Sequence, residues 1–351
     1  MTNILRKISI DPKDISVVVQ GAVDARLTPL CLASIRQYLP GAEIILSTWR
    51  GTETKGLDYD ILVLNRDPGC SICDEQWNVK NNVNRQIIST KNGLKKVQRR
   101  YALKLRTDIS LTSLNFLRYW KKFPKRTDDC RVLTERVLIN NLYCANPHKT
   151  NFCFHVSDWV FFGLTEDLLK IWNIPSISVA DSVYFKGHPR PKIDPIPTWL
   201  FRWIPEQYIW TSCLLKSGQS FVFNHFTDIS SKNLYESELS FANNVVIINY
   251  EDFGINFMKF DPYKWDYSAQ YTHKDWLQLY KQYCDPKFIM PYKIYIAPDI
   301  ERLYHHYKCF FQPIEKMISK GRHWIEELFH IMGYIIKILS KSVYYVFTEK
   351  Y

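Results

Sequence analysis

The sequence predicts a Rossmann-like α/β fold, and three observations predict it. Short apolar runs of strand length alternate with segments of helical period. Each run stops at polar residues or glycine. The first, Ile15-Ser-Val-Val-Val19, is apolar enough to be buried on both faces, as in a sheet covered by helices. The 351 residues are 46% hydrophobic and 23% charged, a globular composition with length for a large core.

The elements follow in order. The first strand ends at Gln20-Gly21. A helix over 28–39 carries Leu30, Leu32, Ile35 and Leu39, and Pro40-Gly41 stops it. A second strand, 42–48, closes on Trp49-Arg50-Gly51. A third, 60–64, ends in Asn65 to Gly69, completing β-α-β-β. A helix is predicted over 81–100 on the stripe Val83, Ile87, Leu94 and Val97, with a kink or break expected at Gly93. The strand 102–105 then runs into Arg106-Thr107-Asp108. A helix over 114–123 closes at Pro124. Periodicity leaves 132–142 open between strand and helix. Residues 157–163 read as a strand and 166–172 as a helix. The proline-rich segment 174–205 reads as a long irregular loop, a frequent carrier of function. A helix runs from 204 to 216, and 244–249 is a late strand. From Trp265 onward the chain reads as helical, aromatic and basic, which divides it into 1–260 and 261–351. Residues 317–347 suit an amphipathic helix lying on a membrane surface, or one packed on the core.

Composition narrows the function classes. A formal charge of +11 points to polyanionic partners, such as nucleic acid, anionic lipid or a phosphorylated glycan. No zinc-finger, helix-turn-helix or RRM pattern is present, so no nucleic-acid partner is expected. Aromatic residues make up 15% of the chain, enough for stacking on sugars or bases as well as for a core. The nine cysteines have no regular spacing, and Cys70-x-x-Cys73 lacks a second pair to complete a zinc site. Reduced, buried thiols in a cytoplasmic protein are the expectation. The polar stretch 1–14 has no signal-peptide core, and no run of about 18 apolar residues predicts a spanning helix.

The known phosphate loops are missing, both G-x-x-x-x-G-K-[ST] and a G-x-G-x-x-G after the first strand, and so is a G-x-S-x-G elbow. The chemistry therefore gathers at Asp108. Ligands of open α/β sheets bind outside the carboxyl ends of the strands. A carboxylate there can hold a divalent cation, Mg or Mn, and the cation phosphate oxygens. Arg85 and Arg106 are the arginines placed to meet phosphate directly. The plainer readings are an exposed helix charge for Arg85 and a sheet-rim salt bridge for Arg106.

Several stretches resemble the WavE family of lipopolysaccharide-synthesis proteins, which look like GT-A glycosyltransferases. They are Val17-Val-Val-Gln-Gly21, Leu39-Pro-Gly-Ala-Glu-Ile-Ile-Leu-Ser-Thr-Trp49, Asp67-Pro-Gly69, Asn81-Asn-Val-Asn-Arg-Gln-Ile-Ile-Ser-Thr90, Gly93-Leu94, Ala102-Leu-Lys-Leu-Arg-Thr-Asp108, Asp158-Trp-Val-Phe-Phe-Gly163 and Pro205-Glu-Gln-Tyr-Ile-Trp210. The resemblance covers residues 15–215 and thins beyond. It implies a GT-A mixed sheet flanked by helices in 1–260, holding a nucleotide-sugar and an acceptor, with a helical C-terminal extension in 261–351. It further implies that Gln20, Gly21, Thr48, Trp49, Asn81, Arg85, Arg106 and Thr107 line the donor site. Arg106-Thr107-Asp108 would replace the Asp-x-Asp signature. Only the last acid of that signature is present, which leaves open whether a metal at Asp108 or the two arginines neutralise the diphosphate.

Glycosyl transfer needs carboxylates for proton transfer and charge stabilisation. Glu206 and Asp158 are the candidates, with Glu206 preferred as the base. Against this stands the ordinary preference for Glu in a helix's first turn. His188 and His225 are weaker candidates for completing a metal site. The reading is a glycosyltransferase acting on a lipopolysaccharide core or similar surface glycan, peripheral on the inner face of the cytoplasmic membrane. A capsule glycosyltransferase, a basic nucleic-acid binder and an inactive sugar-nucleotide-binding protein are the alternatives.

Overall fold

The computed structural model describes residues 10–74, 79–191, 199–259 and 269–291. Its described strands build a seven-stranded mixed sheet flanked by helices. The order is β10-β8-β9-β6-β1-β2-β3. Here β1 is Ile15–Gln20, β2 Glu43–Trp49, β3 Ile61–Asn65, β6 Tyr101–Arg106, β8 Val137–Asn140, β9 Phe161–Leu164 and β10 Val245–Ile248. All run parallel except β9, which pairs antiparallel with both β6 and β8. Two small antiparallel pairs stand outside this sheet. They are β4 (Ser71–Asp74) with β5 (Val79–Asn81), and β7 (Ile109–Leu111) with β11 (Ile255–Phe257).

The central strands form as the apolar runs require. Every residue of β1 is buried, and its one internal hydroxyl, Ser16, donates to Glu43 at 2.5 Å. Helix α1 (Leu27–Tyr38) follows an Asp24 that accepts the amides of Arg26 and Leu27. Helix α2 (Val83–Leu94) ends six residues short of the predicted 100. The cationic stretch Lys95, Lys96, Arg99, Arg100 is an exposed turn instead. Gly93, the expected break, stands one residue before the end of α2. A Cβ there would stand 2.5 Å from Val18 Cγ1 and 3.1 Å from Ser47 Cβ, so glycine lets α2 lie flat against β1 and β2.

Elsewhere the sequence reading needs correction. The helix expected over 114–123 is a single 3-10 turn, Asn115–Tyr119. The undecided 132–142 contains β8, and the strand expected over 157–163 starts only at Phe161. Helix α3 (Thr165–Trp172) packs on α2 and β9. Within the proline-rich segment stand a short helix, α4 (Val179–Ser182), and a 3-10 turn. Helix α5 (Pro205–Lys216) stands as expected. Helix α6 (Ser231–Asn244) was not anticipated. It buries Asn233, Ser237, Glu238, Ser240, Asn243 and Asn244 beside Leu239, Phe241 and Ala242, so polar residues interrupt the apolar face that would announce it. A short α7 (Tyr250–Phe253) leads into β11, and α8 (His273–Tyr283) packs on α6 and β10.

One compact unit ends at Phe288. The helix expected over 317–347 lies outside the described residues. Among the described residues, no helix is long and apolar enough to cross a membrane. The described cysteines are free thiols, mostly buried.

Candidate active site

Reversing β9 creates the site. Lys104 pairs with Phe161, so the residues just before β9 lie beside those that end β6. Arg106 thereby comes under Trp159, its guanidinium 4.6 Å from the ring centre. Trp159 stacks on Tyr143 from the loop after β8, with centres 5.1 Å apart. Tyr143 holds a left-handed φ of 55°, a conformation that non-glycine residues adopt mainly where the surroundings impose it.

Arg106 closes a two-pronged bridge on Asp108, Nε to Oδ1 at 2.9 Å and an Nη to Oδ2 at 2.7 Å. Burial opposes its charge. The bonds to Asp108 and the charges of Asp108, Asp158 and Tyr143 outweigh that and hold the guanidinium above its ordinary range. Thr107 turns the other way. Its amide donates to Gln20 O at 3.2 Å, and its hydroxyl to Ala22 O at 2.6 Å. Beneath it, Gly21 has φ 120°, open to glycine alone, and a Cβ there would sit 3.5 Å from Thr107 Oγ1. The Ser89 hydroxyl of α2 lies between Gln20 Oε1 (2.6 Å) and the Arg85 carbonyl (2.7 Å). Gln20, Gly21, Arg106, Thr107 and Asp108 thus share the adjoining ends of β1 and β6.

The two carboxylates chosen from sequence also meet here. Asp158 and Glu206 are buried, and each senses the field of Arg106. Burial raises the Asp158 pKa, and Lys104 and Arg106 pull it back down. Neither Asp158 oxygen has a partner at hydrogen-bonding geometry, although Gln86 is close enough to favour the charged form. Glu206, in the first turn of α5, is pushed well above the carboxylate range by burial and then by the charge of Asp158. The two titrate as a pair. His155 stands beside them, its Nε2 3.8 Å from Glu206 Oε2, beyond hydrogen-bonding distance. Burial lowers its pKa to about 4, so it is neutral, and its Nδ1–H donates to Tyr143 O at 2.9 Å.

Lys104 is the residue the sequence reading missed. It is wholly buried under β9. Its ammonium donates to the carbonyls of Asp158 and Trp159 and lies 4.9 Å from the Trp172 ring centre. Burial lowers its pKa to about 7. The available signal was a lysine set between Leu103 and Leu105 in a strand otherwise buried on both faces. Tyr143 and His155 carried no such signal.

The remaining candidates are held differently. Arg85 closes its fork on Asp67, both contacts at 2.7 Å, so it is tied to the turn after β3 rather than open toward Arg106. Asn81 Oδ1 accepts the Val83 amide at 2.9 Å, while its Nδ2 is buried and unpartnered, as is Thr48 Oγ1. Trp49 is half-buried at the end of β2. His188 stacks on Tyr184 at the surface, and His225 Nδ1 lies 3.2 Å from Thr227 Oγ1. Among the described residues, no three His, Cys, Asp or Glu side chains gather as a metal cluster. Asp108 therefore suits a divalent cation only as one that takes its other ligands from water and phosphate, and its two oxygens already serve Arg106.

A protein-family model described as WavE lipopolysaccharide synthesis matches residues 15–308. No curated protein is matched. Among solved structures, the chain is similar to the 4-diphosphocytidyl-2C-methyl-D-erythritol synthase of Anaerococcus prevotii DSM 20548. The match has 10% identity and a TM-score of 0.30, and covers 65% of this chain and 97% of that one.

Proposed function

The chain belongs to the WavE lipopolysaccharide synthesis family, and from that premise we propose that it is a GT-A-type glycosyltransferase. It moves a sugar from a nucleotide-sugar to a lipopolysaccharide core or similar surface glycan, on the cytoplasmic side of the membrane. The observation that carries the reading is the buried pair Asp158 and Glu206 beside Arg106, at the carboxyl end of β6. Two carboxyls whose surroundings push their proton affinities apart can divide the acid and base roles.

Lys104 and Arg106 favour charge on Asp158, so Glu206 carries the proton at rest. Asp158 then accepts the proton of the attacking hydroxyl, which reverses the preference taken from sequence. Arg106 is the cation for the departing diphosphate, oriented before substrate arrives by Asp108 and by Trp159. Gln20, Gly21 and Thr107 form the floor on which the nucleotide lies, and Thr48 and Trp49 of β2, Asn81 of β5 and Arg85 of α2 extend it. A Mg²⁺ or Mn²⁺ ion at Asp108 would add Lewis-acid stabilisation of the diphosphate.

The test is a thermal-shift screen of nucleotide-sugars with and without Mn²⁺, followed by transfer assays on Asp158→Asn and Glu206→Gln. Donor stabilisation should persist in both variants while turnover falls about 100-fold or more. Undiminished transfer by both variants would remove the pair from the chemistry.

A further inference from the structure

A second concave feature lies at the other end of the strands. Leu138 and Val246, near the amino ends of β8 and β10, form part of a cavity of ≈ 570 Å³. Arg106 and Asp108 sit at carboxyl ends, so the two features occupy opposite edges of the sheet. Five basic side chains line the cavity, Lys121, Lys125, Arg126, Arg131 and Arg136, against one acid, Glu135.

The acids nearby are already committed. Lys121 takes Glu135 at 2.5 Å, and Lys125 takes Asp285 at 2.8 Å. Asp167, whose charge also acts on Arg126, gives one oxygen to the Thr134 amide at 2.7 Å and the other to Glu135 N at 2.9 Å. The arginines are left with neutral acceptors. Arg136 is 6% exposed and donates to the carbonyls of Ala242 (2.7 Å), Lys125 (2.7 Å) and Phe123. Arg126 donates to the carbonyls of Thr134 (2.8 Å) and Leu133 (2.7 Å), and its Nε is buried with no acceptor. Arg131 is exposed and joins no ion pair among the described residues. Burial and the facing charges of Arg136 and Arg131 push the Arg126 pKa down to about 10, and burial lowers that of Arg136 as well.

Buried charges in folded proteins are normally met by a counter-charge, because desolvating one costs several kcal/mol. Carbonyls explain why Arg136 is tolerated. They do not explain why three guanidinium groups line one empty volume. An anion there would relieve the repulsion among them. Guanidinium forks match phosphate in particular. The volume falls in the range of small-molecule sites. Tyr119 and Phe123 line its wall, surfaces on which the apolar face of a sugar ring can rest.

We propose that this cavity is a binding site for a phosphorylated sugar, separate from the Arg106 site, with Arg126, Arg131 and Arg136 holding the phosphate. The phosphate can come from a soluble sugar phosphate or from a phosphorylated glycolipid headgroup. The full chain is titrated calorimetrically with glucose 1-phosphate, inorganic phosphate and glucose, as wild type, Arg131→Gln and Arg126→Gln. Saturable binding of the two phosphates but not of glucose is expected, weakened about tenfold or more by each substitution. Arg131 is exposed, so its variant keeps the fold even where Arg126→Gln does not. No saturable binding, or equal affinity in wild type and Arg131→Gln, overturns the proposal. Vesicles of phosphatidic acid, set against phosphatidylcholine, are then tested for displacing glucose 1-phosphate. Displacement identifies a headgroup as the phosphate source, and its absence identifies a soluble sugar phosphate.

Discussion

Replacing Lys104 with Met should change how stability depends on pH more than it changes stability itself. The folded protein holds this ammonium at about 7, because burial disfavours the charge, whereas an unfolded chain holds it at the ordinary 10.5. Between those values the unfolded state binds a proton that the folded state does not. Stability then rises with pH across the window and is lowest below it. At 1.36 kcal/mol per tenfold difference in proton affinity, the penalty below pH 7 approaches about 5 kcal/mol. Met removes it. Met also leaves the Asp158 and Trp159 carbonyls without their donor, at about 1–3 kcal/mol each. The two stability curves should therefore converge or cross as pH falls: wild type ahead at about pH 10, with its lead cut by several kcal/mol or reversed near neutrality. Urea unfolding of both proteins at matched pH measures this. Other groups titrate in the same window, including thiols such as Cys31 and Cys144 that burial raises, but they are common to both chains and cancel in the difference. If the difference moves by less than about 1 kcal/mol over that range, Lys104 is charged in the folded state and the argument fails.

Two further substitutions test the packing. Gly93→Ala should gain about 1 kcal/mol of helix propensity and lose about 1–3 kcal/mol to the collision with Val18 and Ser47. A net fall in the urea midpoint is expected, and a rise would mean that α2 has room to lift off the sheet. Asn244→Ala removes an amide that accepts from Val132 and Leu133 at 2.9 and 3.0 Å and donates to Cys130 and Ser240 at 2.7 and 2.9 Å. About 3–4 kcal/mol should be lost, with faster hydrogen exchange at the Val132 and Leu133 amides. Unchanged exchange there would show that the loop holds itself.

The half of the sheet built from β1, β2, β3 and β6 was legible because its runs are apolar and end on Gly21, Trp49, Asn65 and Arg106. Those endings point to the carboxyl edge where a site belongs. The other half was less legible for two reasons. Strand β8 is four residues, too short for a period to declare itself, whereas β9 and β10 fall on the strands read at 157–163 and 244–249. Helix α6 mixes Asn, Ser and Glu with Leu239, Phe241 and Ala242 on its buried face, which blurs the helical period. Asp158 and Glu206 stand in stretches that resemble the family, but their meeting depends on the reversal of β9, which no local pattern encodes. Lys104 was passed over because it stands inside a strand, where a lysine reads as noise until burial is known.

That reversed strand has a kinetic consequence. Residues 15–108 supply β1, β2, β3, β6 and α2, so Gln20, Gly21, Arg106, Thr107 and Asp108 can assemble from one stretch of chain. Asp158 reaches them when Phe161 finds Lys104, a shorter closure along the chain than the pairing of Gln20 in β1 with Arg106 in β6, and the pairing of Val137 with Val245 closes a longer loop than either. Shorter closures cost less entropy, so the β6–β9 pairing does not lag behind the nucleotide floor, and β10 is the strand expected to dock last. On refolding, nucleotide binding and the carboxylate pair should return together. Stopped-flow refolding, followed by a fluorescent nucleotide and by turnover, would show a single phase. Nucleotide binding that recovers well ahead of turnover would place the β6–β9 pairing in a later event.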